Sequence, residues 1–148
     1  MFKPKIYFAC SIRGGREDAA LYWQLVKYLK MHADVLSEIF VNKKLTLQGM
    51  KAPEKDIWKK DMDWIKDADA IIAEVSQPSL GVGYEIAKAE TMKKPVLCLY
   101  RPSEGKKLSA MIVGSPGVIV VEYNKLSIAE HAIVDFLAKL QPLQTRAV

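Results

Sequence analysis

A doubly wound α/β architecture, a parallel sheet with helices on both faces, is what this sequence predicts, and three observations predict it. Short apolar runs recur at residues 5–10, 70–75, 95–100 and 118–123, each bounded by turn residues and too continuously apolar for a strand with one wet face. Segments of helical period alternate with them, the spacing expected of parallel strands joined by crossover helices. No internal repeat, low-complexity tract or linker divides the chain, so its 148 residues are expected to form a single domain with a core over about 5–140.

The elements follow in order. Lys5-Ile6-Tyr7-Phe8-Ala9-Cys10 reads as a buried first strand, and Ser11-Ile12-Arg13-Gly14-Gly15-Arg16 as the loop after it. A helix is expected over 17–31, with Leu21, Leu25, Tyr28 and Leu29 near one face, then a second strand over 33–40 that Ser37 and Glu38 interrupt. Residues 42–55 are polar and read as a surface loop, followed by a helix over 56–67 and the strand 70–75. The chain then bends through Gln77-Pro78-Ser79, passes two glycines and enters a helix over 83–93, placing Glu85 about one turn in. A strand over 95–100, a polar turn at 102–107, a short helix near 108–113, a strand over 118–123 and a helix over 128–140 complete the pattern, with a frayed tail from 141. The expected result is a flavodoxin- or Rossmann-like five-stranded sheet whose binding crevice lies at the carboxyl ends of the strands, near a topological switch point.

Composition narrows the function classes. The net charge of +5 comes without a basic stripe interleaved with aromatics, which argues against a nucleic-acid polymer as partner. No apolar run approaches a membrane span, and no signal peptide precedes the first strand, so a cytoplasmic location is expected, with the nucleus left open. Cys10 and Cys98 both fall in apolar runs and read as buried reduced thiols. No Cys/His/Asp cluster has metal-ligand spacing, G-x-S-x-G is absent, and neither a Walker A loop nor a GxGxxG fingerprint occurs, so neither metal nor cofactor is expected.

Two strand-to-helix turns could carry chemistry. Ser11-Ile12-Arg13-Gly14-Gly15-Arg16 can offer backbone amides, a hydroxyl and arginines to an anion, or can be a tight turn with solvated arginines. In the second turn Ser76 and Ser79 can donate to an anion or cap the helix, while Gly81 and Gly83 can admit a ligand or permit close packing on the sheet. Glu85, in a helix's first turn, is commonly only a favourable charge, yet a carboxylate at the mouth of such a crevice can also be a nucleophile. Asp61 and Asp63 read as a solvated face behind two lysines, or Asp61 as a second carboxyl partnering Glu85 for glycosidic cleavage. Asp67 and Asp69 bracket the start of the third strand and belong at the opposite end of the sheet.

Tyr7-Phe8, the loop from Ser11 to Asp18, Asp61 with Trp64, and Ala73-Glu74-Val75-Ser76-Gln77-Pro78-Ser79-Leu80-Gly81-Val82-Gly83-Tyr84-Glu85 together resemble the 2'-deoxynucleoside 5'-phosphate N-hydrolases, which belong with the nucleoside 2-deoxyribosyltransferases. Pro95 to Pro102 and Leu108 to Ile112 continue the resemblance, which covers roughly residues 5–123. It implies that Glu85 attacks C1' of the sugar, that Asp61 contacts the sugar and assists protonation of the leaving base, and that Tyr7, at the end of the first strand, orients the nucleophile. It further implies that Ser11, Arg13, Gly14, Gly15 and Ser79 receive the 5'-phosphate, with Gly81 and Gly83 in the same binding turn. Ile12 would pack by the deoxyribose, and Ser109 would reach the phosphate held by a neighbouring subunit, so that a homodimer is implied.

The related transferases carry an acid about six positions before the nucleophile, where this chain has Ser79, and no acid lies between Val75 and Glu85. A serine accepts a phosphate that a carboxylate would repel. The expected substrate is therefore a deoxynucleoside 5'-monophosphate. Base exchange between deoxynucleosides, hydrolysis of a ribonucleotide such as CMP, and a non-catalytic nucleotide-binding module are the alternatives. Relatives often have glycine before the loop serine, where Cys10 stands here, and residues 42–55 match nothing that would name the base.

Overall fold

A computed structural model describes residues 2–12, 18–37 and 52–140. The strands are β1 (Lys5–Ala9), β2 (Asp34–Val35), β3 (Ala70–Glu74), β4 (Val96–Tyr100) and β5 (Val118–Glu122); the helices are α1 (Ala19–Leu29), α2 (Glu54–Asp67), α3 (Leu80–Thr91), α4 (Ala110–Val113) and α5 (Leu126–Ala138). All strand pairs are parallel, in the order β2-β1-β3-β4-β5. This is the expected doubly wound sheet.

Every residue of β3 and β4 is buried, which is why those runs carry no polar alternation. Because side chains alternate across a strand, Ile6, Phe8, Ile72, Leu97 and Leu99 turn to the face covered by α1 and α5, against Leu25, Leu29 and Ile133. Tyr7, Ile71, Ala73, Val96 and Cys98 turn to the other face, against Ile65 of α2 and Val82 and Ile86 of α3. Each fully buried Ile, Leu or Val contributes about 1.5–3 kcal/mol. Both cysteines are buried free thiols, and burial pushes each up to about 12. Asp69 and Asp67 lie at the amino end of the sheet, where Asp69 Oδ2 accepts the Lys5 backbone N–H at 2.8 Å and Asp67 pairs with Lys5 Nζ at 3.2 Å.

Several elements differ from expectation in extent or burial. α3 begins at Leu80, three residues early, because Ser79 caps it by accepting the Val82 N–H at 3.3 Å and because Val82 packs in the core. α2 begins at Glu54, directly after Pro53, whose fixed φ suits a helix start, so the polar run ends sooner than expected. β2 is only two residues long: beyond it the Ser37 hydroxyl accepts the Phe8 N–H at 2.8 Å and donates to the Phe8 carbonyl at 2.7 Å, replacing ladder bonds. Its expected continuation over 38–40, most of the 42–55 loop and the tail from 141 lie outside the described residues. β5 is an edge strand with Ile119 half-exposed, not a strand covered on both faces.

Candidate active site

β1 and β3 are neighbours in register, Ile6 beside Ala70 through Ala9 beside Ala73, so the chain leaves their carboxyl ends in opposite directions. That is the switch point, and both sequence-predicted turns open there. Ser11, two residues beyond β1, is buried, with half-buried Ile12 after it. Arg13, Gly14 and Gly15 lie outside the described residues.

Tyr7, Asp61 and Glu85 come together from three elements. Tyr7 is the central residue of β1, not its end, and is 1% exposed, facing the α2/α3 layer. Its phenol faces the Glu85 carboxylate closely enough to lower it as a hydrogen-bond donor would. Glu85 is the sixth residue of α3, a turn deeper than the sequence implied, so burial rather than the helix terminus governs it. Desolvation, then the neighbouring Asp61 charge, pushes Glu85 up to about 8 against the lowering pull of Tyr7. Asp61 is likewise raised by desolvation, to about 6, with Lys60 opposing. Its Oδ1 is buried and has no hydrogen-bond partner among the described residues. The solvated-face reading therefore fits Asp63, which pairs with Lys59 at 3.8 Å, and not Asp61. Asp61 stands one turn before fully buried Ile65 and shares its inward face. The Tyr7 phenol is raised strongly, first by its own burial and then by Glu85, and is a donor at any working pH.

The second turn borders a groove of about 690 Å³ between α3 and residues 106–112, lined by Ser76, Ser79, Gly83, Ser109 and Met111 among others. Ser79 and Ser109 thus share one groove, each also accepting a backbone N–H at a helix start, from Val82 and Met111 respectively. Capping uses the serine's lone pair and leaves its O–H for another acceptor. A Cβ at Gly83 would meet nothing within 4 Å, and one at Gly81 only Ser79 Oγ at 3.8 Å, so close packing on the sheet does not require either glycine. Glu85 lies two residues from both Gly83 and Ala87, about 160° round the helix from each, and so faces the other flank of α3.

Sequence reasoning passed over a second cluster at the carboxyl ends of β3, β4 and β5. Glu74 is fully buried and accepts from the Ser76 N–H at 2.7 Å, the Ser76 hydroxyl at 3.1 Å and the Tyr123 hydroxyl. Ser76 Oγ in turn accepts the Arg101 N–H at 2.8 Å, and the Arg101 guanidinium pairs with buried Asp18 at 2.5 Å. The first residues of the second turn are thereby tied to the start of α1. The signal in the sequence was one carboxyl closing an otherwise apolar strand.

Comparison with known proteins identifies the family and the fold. The profile of the family described as "Nucleoside 2-deoxyribosyltransferase" matches residues 6–126. The chain is 45% identical over 139 residues to a 5-hydroxymethyl-dUMP N-hydrolase of Tetraodon nigroviridis, covering 90% of this chain and 97% of that protein. It is 49% identical over 111 residues to the enzyme of the same name from Danio rerio, covering 74% and 78%. Among solved structures, a CMP N-glycosidase of Clostridium botulinum superposes with TM-score 0.62 at 20% identity, covering 89% of this chain and 98% of that one. The solution structure of BlsM superposes with TM-score 0.73 at 16% identity, covering 93% and 91%; at these identities both show the fold. With the switch-point crevice, its paired carboxyls and a family match over most of the length, this chain belongs to the nucleoside 2-deoxyribosyltransferase family.

Proposed function

We propose that the protein is an N-glycosidase hydrolysing 2'-deoxynucleoside 5'-monophosphates to free base and 2-deoxyribose 5-phosphate. The observation that carries this is the convergence of Tyr7, Asp61 and Glu85 on one crevice. The names of its relatives support the substrate class, with 5-hydroxymethyl-dUMP the first compound to try. In the proposed reaction a Glu85 oxygen attacks C1' and the C1'–N bond breaks, the base taking a proton from Asp61. The Asp61 carboxylate then removes a proton from water, whose oxygen attacks C1' and releases Glu85, so configuration is retained. Tyr7 lowers Glu85, offsetting part of the rise that burial and Asp61 impose on the nucleophile. Ser79 and Ser11, with Arg13, Gly14 and Gly15, would take the phosphate.

Incubation with 5-hydroxymethyl-dUMP, dGMP, dCMP and CMP, with release of free base as the readout, tests the reading. Base release from the deoxynucleotides and not from unphosphorylated deoxynucleosides is expected. Base exchange between deoxynucleosides outpacing hydrolysis would make the protein a transferase instead, and no release from any substrate would leave it a binding module.

The pH profile follows from the pair. With values of about 6 and about 8, Asp61 and Glu85 together hold one proton between those limits. Between those limits the proton rests mainly on Glu85, and the productive form is the minor tautomer with the proton on Asp61; both share one net charge, so kcat/KM should be bell-shaped with limbs near both values. Asp61→Asn removes a like charge that helps raise Glu85, so Glu85 should titrate below about 8 and the alkaline limb should vanish, with a loss of about 10²–10⁴-fold. An alkaline limb that survives in this variant would exclude Asp61 as the acid.

We further propose a homodimer closed over the α3/α4 groove. Leu80 is 97% exposed and Met111 84%, beside the two serines, leaving large apolar side chains in water at a prospective phosphate site. Met111→Glu should shift sedimentation to the monomer and raise KM for the nucleotide at least about ten-fold, as expected when a charge is buried unpaired in an interface; an unchanged sedimentation coefficient would refute it. Among the described residues no helix is long and apolar enough to cross a membrane. The buried free thiols suit a reducing compartment, and a cytoplasmic location is our reading.

A further inference from the structure

We propose that Trp58, fixed in orientation by Tyr84, is the platform on which the nucleobase stacks, an inference that rests on the N-glycosidase reading above. Trp58 stands three residues before Asp61 in α2, about 60° round the helix and on the same flank. α2 leads from β2 into parallel β3, so it runs against the strands, and stepping back from Ile65 through Asp61 to Trp58 climbs from the core toward the crevice edge. Exposure follows that climb, from 0% at Ile65 to 51% at Trp58, with Asp61 between.

The Trp58 Nε1–H donates to the Tyr84 hydroxyl at 3.1 Å, so one bond joins α2 to α3 at residues three before Asp61 and one before Glu85. Tyr84 is itself held: Lys88 Nζ lies 5.5 Å from its ring centroid. Two large aromatics, 51% and 46% exposed, are thus ordered in water at the mouth of the site. A flat π-face is what a base of any identity can stack on. A base stacked on Trp58 would lie on the flank of α2 that also carries Asp61. Asp61 supplies an independent observation, since its buried, unpartnered Oδ1 costs about 1–3 kcal/mol, which a donor on the ligand relieves.

Trp58 is one of three tryptophans, so nucleotide binding can be read from intrinsic fluorescence without turnover. Titration with dUMP should quench the wild type. Trp58→Phe should lose most of the quench while calorimetric affinity falls no more than about three-fold, since an aromatic face remains, and Trp58→Ala should lose affinity about ten- to hundred-fold, the scale of one base–aromatic stack. The affinity for 2-deoxyribose 5-phosphate, which has no base, should be the same in all three. Wild-type affinity for dUMP in Trp58→Ala, an equal loss toward dUMP and 2-deoxyribose 5-phosphate, or no binding of dUMP by the wild type would each overturn the proposal. Failure of the wild type to release base from any nucleotide would defeat the N-glycosidase reading alone, because the titration still decides what Trp58 does.

Discussion

Glu85→Gln should yield a folded protein in which base release from a deoxynucleoside monophosphate has fallen by on the order of 10³-fold or more, the scale of losing a covalent nucleophile. It should also be more stable than the wild type in alkaline solution. Burial and Asp61 raise Glu85 to about 8 from a reference of 4.5, so between those values the native state binds more protons than the unfolded chain. By linkage, wild-type stability then falls as pH rises through that window, and the lost part stays lost above it. Glutamine carries no such charge. The variant's advantage should be near zero below pH 4.5, grow toward pH 8 and level off above it, at about 1–3 kcal/mol after allowing for partial solvent access. Urea unfolding at a series of pH values measures the second effect, and quench-flow with intact-mass detection of a deoxyribose 5-phosphate adduct on the wild type measures the first. A Glu85→Gln enzyme with full activity removes Glu85 from the mechanism. A stability difference that does not grow with pH contradicts the buried, raised carboxyl on which the pH profile also depends.

The sheet was legible because buried parallel strands need unbroken apolar runs, and β3 and β4 have them. The start of α3 was not. Gly81 and Gly83 each cost a helix about 1 kcal/mol and read as punctuation, yet the Ser79 cap and the burial of Val82 and Ile86 carry the helix through them. β2 was overextended because side-chain bonds from Ser37 to Phe8 look, in sequence, like one more strand residue. Of the site, the direction of Asp61 could have been read from its i,i+4 relation to Ile65, although the two preceding lysines argue for solvent. The union of Tyr7 with Glu85 required knowing that β1 and β3 are neighbours, which connection lengths alone do not determine. The Glu74 cluster is less legible still. Its partners lie two and 49 residues away, and Arg101 meets Asp18 across 83 residues. Only the closed fold brings them together.

Glu74→Ala is expected to be the most destabilising single substitution of a polar residue, by about 3–5 kcal/mol. Desolvation raises the Glu74 carboxyl, while bonds from Tyr123 and Ser76 hold it down. Its worth therefore lies in the donors it satisfies more than in its charge. Truncation strands the Ser76 N–H, the Ser76 hydroxyl and the Tyr123 hydroxyl in the interior and adds a cavity where a fully buried side chain stood. Glu74→Gln keeps the volume and one acceptor but turns an amide N–H₂ toward donors, so it should cost roughly half as much, and Tyr123→Phe about 1–2 kcal/mol. The consequence for function runs through Ser76, which joins Glu74 to the Arg101 backbone and opens the turn that ends at Ser79. Loss of the carboxylate should loosen that turn and raise KM for the phosphorylated substrate, even where the protein remains folded. Urea midpoints at constant m-value give the stability term, and KM for the monophosphate at a temperature well below the variant's Tm gives the second. A Glu74→Ala protein within 1 kcal/mol of the wild type would mean that the strand ends are held by packing alone, and that the polar ties from Glu74 through Ser76 to Arg101 contribute little.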